Sequence, residues 1–379
     1  MKIAYLTTYD ASDANAWSGS GNYILRTLRD NGFQIECVGN LREKNVFPLK
    51  VKQAFYAFVF GKKYRIDREP AILKDYAAQF EKRLAAVDYD MAFSPGTIPL
   101  AYLKTEKPMA FWTDATFASM IDFYPQFTNL CNETIRSGNW MEQLALSKCR
   151  VAIYSSEWAA NTAIRNYDVD PAKVKVVPFG ANIICNRSFG DISKIIDDKS
   201  FDVCKLLFLG VDWQRKGGDK ALAVAELLTK RGIKTELHVA GCDPPAGLPG
   251  FVKLHGFISK NTEEGNKQLE RLMSDSHFLI LPSRAECYGV VFAEASSFGL
   301  PSLATNVGGI PAVVRDGING QTFPLDEDPE KYCDYIERYL SSKQEYAELA
   351  LSSFKEYSTR LNWASAGRRA RDLILSFCS

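Results

Sequence analysis

Short apolar runs alternate with amphipathic stretches along most of this chain, in two series separated by a polar interval. In the first series Lys2–Thr7, Phe33–Val38, Met91–Phe93, Ala110–Trp112, Val151–Tyr154 and Val174–Val177 predict strands. Gly19–Asp30, Ile72–Ala86, Glu133–Ser147 and a stretch from Glu157 predict helices between them, the pattern of an open parallel sheet wrapped by helices. Over Asn182–Ser200 the periodicity fades and polar residues accumulate, as in a linker. The alternation then resumes, with strands at 206–211, 235–241 and 278–283 and a helix from Gly217. Asp328–Cys378 is helical by pattern. The reading is two Rossmann-like α/β domains, 1–185 and 186–359, facing a cleft, with a terminal helix at about 360–379 folding back on the first.

The stretch from Leu281 to Pro311 is the most informative. A buried-strand run empties into a polar loop with Glu286; Gly289 opens a helix carrying Glu294, and Gly299-Leu300-Pro301 closes it. Ligands of parallel α/β sheets bind beyond the carboxyl ends of the strands, where both glutamates fall. A carboxylate accepts several hydrogen bonds and suits a vicinal diol such as ribose or a hexose. Backbone N–H groups of Tyr288, Gly289 and Val290 could hold a sugar or phosphate oxygen.

Residues 210–218 form the second series' first strand-to-helix turn, with Arg215 and Lys216 ahead of Gly217 and Gly218. Glycines let a ligand approach the backbone, and a helix start with two cations suits a diphosphate. It is not the GxxxxGK[ST] phosphate loop. In the first series Ser18-Gly19-Ser20-Gly21-Asn22 precedes a helix, but Ile24 stands where a dinucleotide fingerprint wants its third glycine, which disfavours a dehydrogenase. Asp114, after the strand ending at Trp112, reads either as a substrate contact or as a helix cap. Two carboxylates on one loop and helix beside cations suit binding better than glycoside cleavage. The acidic triplets at 88–90 and 326–328 read as a strand approach and a helix cap.

Composition narrows the classes. The chain has 379 residues, 46% hydrophobic and 24% charged, with net charge +1, so it lacks the cationic excess of a general nucleic-acid binder. Nine cysteines without regular spacing read as reduced thiols of a cytoplasmic protein, and the three histidines read as core residues, not zinc ligands. No signal peptide or membrane-spanning run is evident.

These segments resemble the retaining glycosyltransferases of family 4, which have the GT-B fold. The resemblance covers nearly the whole chain. It is strongest from Glu286 to Glu294 and continues into the Gly-Leu-Pro and Gly-Gly-Ile-Pro segments; Gly210…Arg215-Lys216-Gly217, His255-Gly256-Phe257 and Pro178-Phe179-Gly180 also match. The resemblance implies that Glu294 binds the ribose of a nucleotide donor. Glu286 would bind hydroxyls of the transferred sugar, helped by the amides of Cys287, Tyr288 and Gly289. Lys216 and Arg215 would neutralise the leaving diphosphate, and Gly19 would approach it. Asp114 falls where many members carry a histidine. Ser18, Val211, Phe179 and Asn182 depart from the family pattern. The implied activity is metal-independent hexosyl transfer from a nucleotide-diphosphate sugar with retained configuration and no further cofactor. Its partners would be that donor and a glycan, lipid-linked or small-molecule acceptor, with no nucleic acid. The alternative is a nucleotide-sugar epimerase or a non-catalytic sugar-nucleotide binder on the same fold.

Residues 42–68 hold eight Lys or Arg (42, 44, 50, 52, 62, 63, 65 and 68) against Glu43 and Asp67, interleaved with aromatics. The pattern predicts a helix with its aromatic face in the core and its lysines in water. The competing reading is a helix lying on an anionic membrane, a peripheral contact at the inner face.

Overall fold

A computed structural model describes residues 1–13, 16–44 and 46–378. Two compact units emerge, Met1–Phe179 with Trp363–Ser379 and Gly180–Asn362. The chain thus changes unit at 179/180 and returns at 362/363, not at 185/186 and 359/360.

The first unit runs β1 (Lys2–Leu6), α1 (Ser20–Asp30), β2 (Gln34–Val38), α2 (Val46–Phe60), α3 (Pro70–Leu84), β3 (Met91–Ser94), β4 (Met109–Thr113), α4 (Phe117–Met120), α5 (Asn132–Lys148), β5 (Val151–Tyr154), α6 (Glu157–Asn166) and β6 (Val174–Val176). Its sheet order is β2-β1-β3-β4-β5-β6, and every pairing is parallel. β3, β4 and β5 are buried at every position, which is why they read as continuous apolar runs.

The second unit runs α7 (Phe189–Asp197), β7 (Cys204–Leu209), α8 (Gly218–Lys230), β8 (Thr235–Ala240), β9 (Val252–Leu254), α9 (Glu263–Asp275), β10 (Phe278–Leu281), α10 (Val290–Ser296), β11 (Ser302–Thr305), β12 (Gly320–Phe323), α11 (Pro329–Leu340) and α12 (Lys343–Thr359). Its all-parallel order, β12-β11-β10-β7-β8-β9, reverses direction between β7 and β10. That reversal is the topological switch point, where loops leaving two neighbouring strands part and leave a crevice. α13 (Trp363–Cys378) belongs to the first unit and packs along α1, with Thr27 donating to the Trp363 carbonyl at 3.2 Å.

Two expectations need correction. The interval 182–200 is not wholly a linker, because α7 occupies its middle. Ser188 and Asp191 form a reciprocal capping box, and Ile192 and Ile196, four apart, are buried. The second correction concerns α2, whose aromatic face is not in the core: none of its residues is buried. Lys52 pairs with Glu133, and the Tyr56 hydroxyl donates to the same carboxylate at 2.9 Å. Val46 and Leu49 are partly buried against the core beside these polar contacts, whereas Phe47, Val51, Phe55 and Phe58 face out.

Phe179 has a packing reason. Its ring centroid lies 5.5 Å from those of Trp112 and Trp363 and 5.7 Å from that of Trp17. The Trp112 indole donates to the Val177 carbonyl at 2.9 Å. An asparagine could not fill this aromatic cluster, whose members come from the turn ahead of α1, β4, β6's exit and α13.

Candidate active site

The second unit gathers its candidates at the switch point. After β7 the chain makes one tight turn, with Lys216 N–H donating to the Asp212 carbonyl at 3.0 Å and Gly218 N–H to the Trp213 carbonyl at 2.8 Å. Gly217, at φ +77°, then enters α8. A Cβ there would lie 2.1 Å from the Pro282 carbonyl oxygen. Only glycine therefore lets the loop after β7 meet the loop after β10. The two loops are also tied by Arg284 N–H donating to the Arg215 carbonyl at 2.7 Å.

This contact brings Arg215, Lys216 and Glu286 together. The Lys216 ammonium pairs with Glu286 Oε2, and Arg215 Nη1 lies 3.5 Å from the same oxygen. Arg215 also donates to the Ala285 carbonyl at 3.1 Å and has Asp212 at 3.8 Å. Lys216 is 8% exposed and Glu286 9%. Charges are seldom buried this far unless paired, and here two cations share one carboxylate. A second carboxylate, Asp212, stands half-buried beside Arg215, and Glu286 is the only charged partner of Lys216 among the described ion pairs.

Glu294 lies on α10, 2% exposed, and its partner is Lys260 from the loop after β9. Sequence reasoning missed Lys260, because no spacing signal links that polar loop to a helix 34 residues on. Cys287 and Tyr288 are buried, and Gly289, at φ +87°, caps α10 directly ahead of Val290. The Gly308–Gly309 segment packs here too, Gly309 N–H donating to the Glu286 carbonyl at 3.0 Å.

Gly19 and Asp114 belong to the first unit. Gly19, at φ +83°, caps α1 after β1. Asp114 is half-buried in the loop after β4. It is not the cap of α4: Thr116 is, accepting from Ser119 N–H in a reciprocal box. The acidic triplets have structural partners. Asp88 pairs with Lys2, Asp90 accepts the Lys2 N–H at 2.7 Å, and Asp328 caps α11.

The histidines are only partly core residues. His277 is buried and its pKa is pushed down to about 4, chiefly by that burial. His238 and His255 are half-buried side by side, Nδ1 to Nε2 3.0 Å. Eight cysteines among the described residues are free thiols.

Residues 204–342 match the family described as Glycosyl transferases group 1. The matched segment lies within the second unit. It spans both loops of the switch point, from β7 through α11. Among related chains, a D-inositol 3-phosphate glycosyltransferase of Corynebacterium diphtheriae is 24% identical over 243 residues, 60% of this chain and 56% of that protein. The chain spans roughly 55–60% of the length of the first such relatives it matches. Sucrose-phosphate synthase from Thermosynechococcus elongatus superposes with TM-score 0.73 at 16% identity, over 99% of this chain and 98% of its own. Anabaena HepE in complex with UDP and glucose superposes with TM-score 0.65 at 16% identity, over 99% and 100%. The fold is GT-B: two α/β units with parallel sheets, the matched segment lying in the second.

Proposed function

We propose that this chain transfers a hexosyl group from a nucleoside-diphosphate sugar to an acceptor hydroxyl, with retained configuration and without a metal. The observation that carries the reading is the convergence of Lys216, Arg215 and Glu286, two cations on one buried carboxylate at the switch point. A diphosphate brought there competes with Glu286 for Lys216, and the released carboxylate becomes an acceptor for sugar hydroxyls. Departure of the nucleoside diphosphate concentrates negative charge on phosphate oxygens. Fixed cations stabilise that charge more in the transition state than in the ground state, so they raise turnover and not only affinity. Glu294, salt-bridged to Lys260, is the ribose contact in this reading.

HepE has also been solved in complex with UDP-glucose, which makes UDP-glucose the first donor to try. The group 1 match and the glycosyltransferase relatives favour transfer over epimerisation. Lys216→Ala is expected to lower kcat by at least about a hundredfold, the loss typical of removing one preorganised donor to a developing oxyanion. UDP affinity by calorimetry should change far less. A Lys216→Ala enzyme with unaltered turnover sinks the assignment. Retention is read from the anomeric proton coupling of the product, and metal independence from turnover in EDTA.

A further inference from the structure

Helix α2 wears its apolar side outward. Phe47, Val51, Phe55 and Phe58 follow at spacings of four, four and three residues and share one face. They are 77%, 56%, 53% and 92% exposed. The opposite face holds the helix to the protein through Val46 and Leu49, partly buried against the core, and through polar groups. Lys52 and Tyr56 contact Glu133, Gln53 donates to the Tyr64 carbonyl at 2.8 Å, and the Tyr56 and Tyr64 rings stack at 5.5 Å. A helix with its polar contacts against the protein and its phenylalanines in water is the reverse of what a surface helix of a soluble domain presents. Contiguous apolar surface of this kind marks an interaction site.

Charge decides what covers it. No acid occurs between Glu43 and Asp67, while Lys44, Lys50, Lys52, Lys62, Lys63 and Arg65 do. Lys44, Lys52 and Arg65 are paired with Asp75, Glu133 and Asp67. Lys50, Lys62 and Lys63 are exposed and have no carboxylate partner among the described residues, although Lys62 and Lys63 donate to Asn129 and the Pro125 carbonyl. A second copy seated on this stripe would set these cations against themselves with no acid in the stretch to answer them. The 15 residues of α2 rise roughly 22 Å, short of a hydrocarbon core. Among the described residues no helix is long and apolar enough to cross a membrane.

We propose that α2 seats the protein on a bilayer surface bearing anionic headgroups. The phenylalanine stripe sinks into the acyl boundary, and Lys50, Lys62 and Lys63 lie at headgroup phosphates. This docking is independent of the transfer chemistry. It is tested by floating the full chain with vesicles of phosphatidylcholine alone, or mixed with phosphatidylglycerol, at low and high salt. Wild type should float with the anionic vesicles at low salt and release at high salt. F55S/F58S should weaken that binding on the order of tenfold or more, and K62E/K63E should remove its salt-sensitive part. Both doubles alter exposed positions, so unchanged circular dichroism and melting midpoint are expected. Phe58→Trp supplies a second reading, a fluorescence increment over wild type that brominated lipid quenches. Three results each overturn the proposal: wild type left at the bottom of the gradient, F55S/F58S floating as wild type, or F55S/F58S converting a dimer to a monomer in light scattering.

Discussion

Replacing Glu286 by glutamine keeps the shape of the side chain and removes only its charge. The Lys216 ammonium, whose side chain is 10% exposed, would then face a neutral amide. Arg215 is better provided for, since it keeps the Ala285 carbonyl and Asp212. The loss therefore concentrates on Lys216. Breaking a buried pair by removing one partner costs about 3–5 kcal/mol. The slight exposure of both side chains argues for the lower end, about 3 kcal/mol. For a unit the size of residues 180–362 each kcal/mol moves the midpoint by about 2–4 °C. A fall of roughly 6–12 °C is expected for the ligand-free variant. The nucleotide should reverse it, because its diphosphate can neutralise the orphaned cation. A ligand at free concentration c that binds only the folded state stabilises by RT ln(1 + c/Kd), about 2.7 kcal/mol at a hundred times Kd, so tighter binding at a given concentration stabilises more. Saturating UDP should thus raise the variant's midpoint by more than the wild type's. The assay is thermal unfolding with and without UDP, at the same absolute UDP concentration for both proteins. An E286Q protein that melts with wild type, or gains no more from UDP than wild type does, would refute the idea that this carboxylate holds Lys216 in readiness for a phosphate.

Two further predictions concern stability. Glu142 is buried in the first unit, accepts from the Thr97 hydroxyl at 2.7 Å, and has its other oxygen without a partner among the described residues. Burial pushes its pKa up to about 7 from 4.5, against the pull of Thr97 and Arg68. The native state therefore holds a proton that the unfolded chain releases, and the stability it contributes is full below pH 4.5 and lost as pH rises through 7. Glu142→Gln should escape this loss, gaining roughly 3 kcal/mol on wild type between pH 5 and 8; urea titrations giving the same difference at both pH values would contradict it. Gly217→Ala should lower the yield of folded protein and the midpoint sharply, because the residue has φ +77° and its Cβ would strike the Pro282 carbonyl; an alanine variant that melts normally would show that the loops after β7 and β10 can part cheaply.

The sheet and the site around Glu286 were legible because their signals are local. Four buried residues in a row at β10, a glycine at φ +87° and a helix with Glu294 lie within one short stretch. The contacts on which the proposed chemistry rests were less visible. That Lys216 touches Glu286 depends on the neighbouring places of β7 and β10, which pattern alone does not assign. Lys260 was invisible for the same reason, since its meaning comes from Glu294 across the fold. α7 had signals that were present but short, one capping box and one buried i, i+4 pair in nine residues.

The misreading of α2 has a different cause and tells more. Aromatic periodicity in a helix is evidence of something apolar opposite it, and within a single folded chain that is ordinarily the core. The inference carries a hidden premise, that the protein supplies the apolar partner. Here Lys52, Gln53 and Tyr56 are satisfied by Glu133 and the Tyr64 carbonyl, groups up to 81 residues away, and this rotates the helix so that its phenylalanines miss the core. Burying the aromatics instead would mean breaking the Lys52–Glu133 pair and turning a helix with two lysines into the body of the unit. A lysine is rarely buried without a partner. The orientation that satisfies the charges is therefore the one that leaves the apolar stripe unanswered, and what answers it must come from outside the chain.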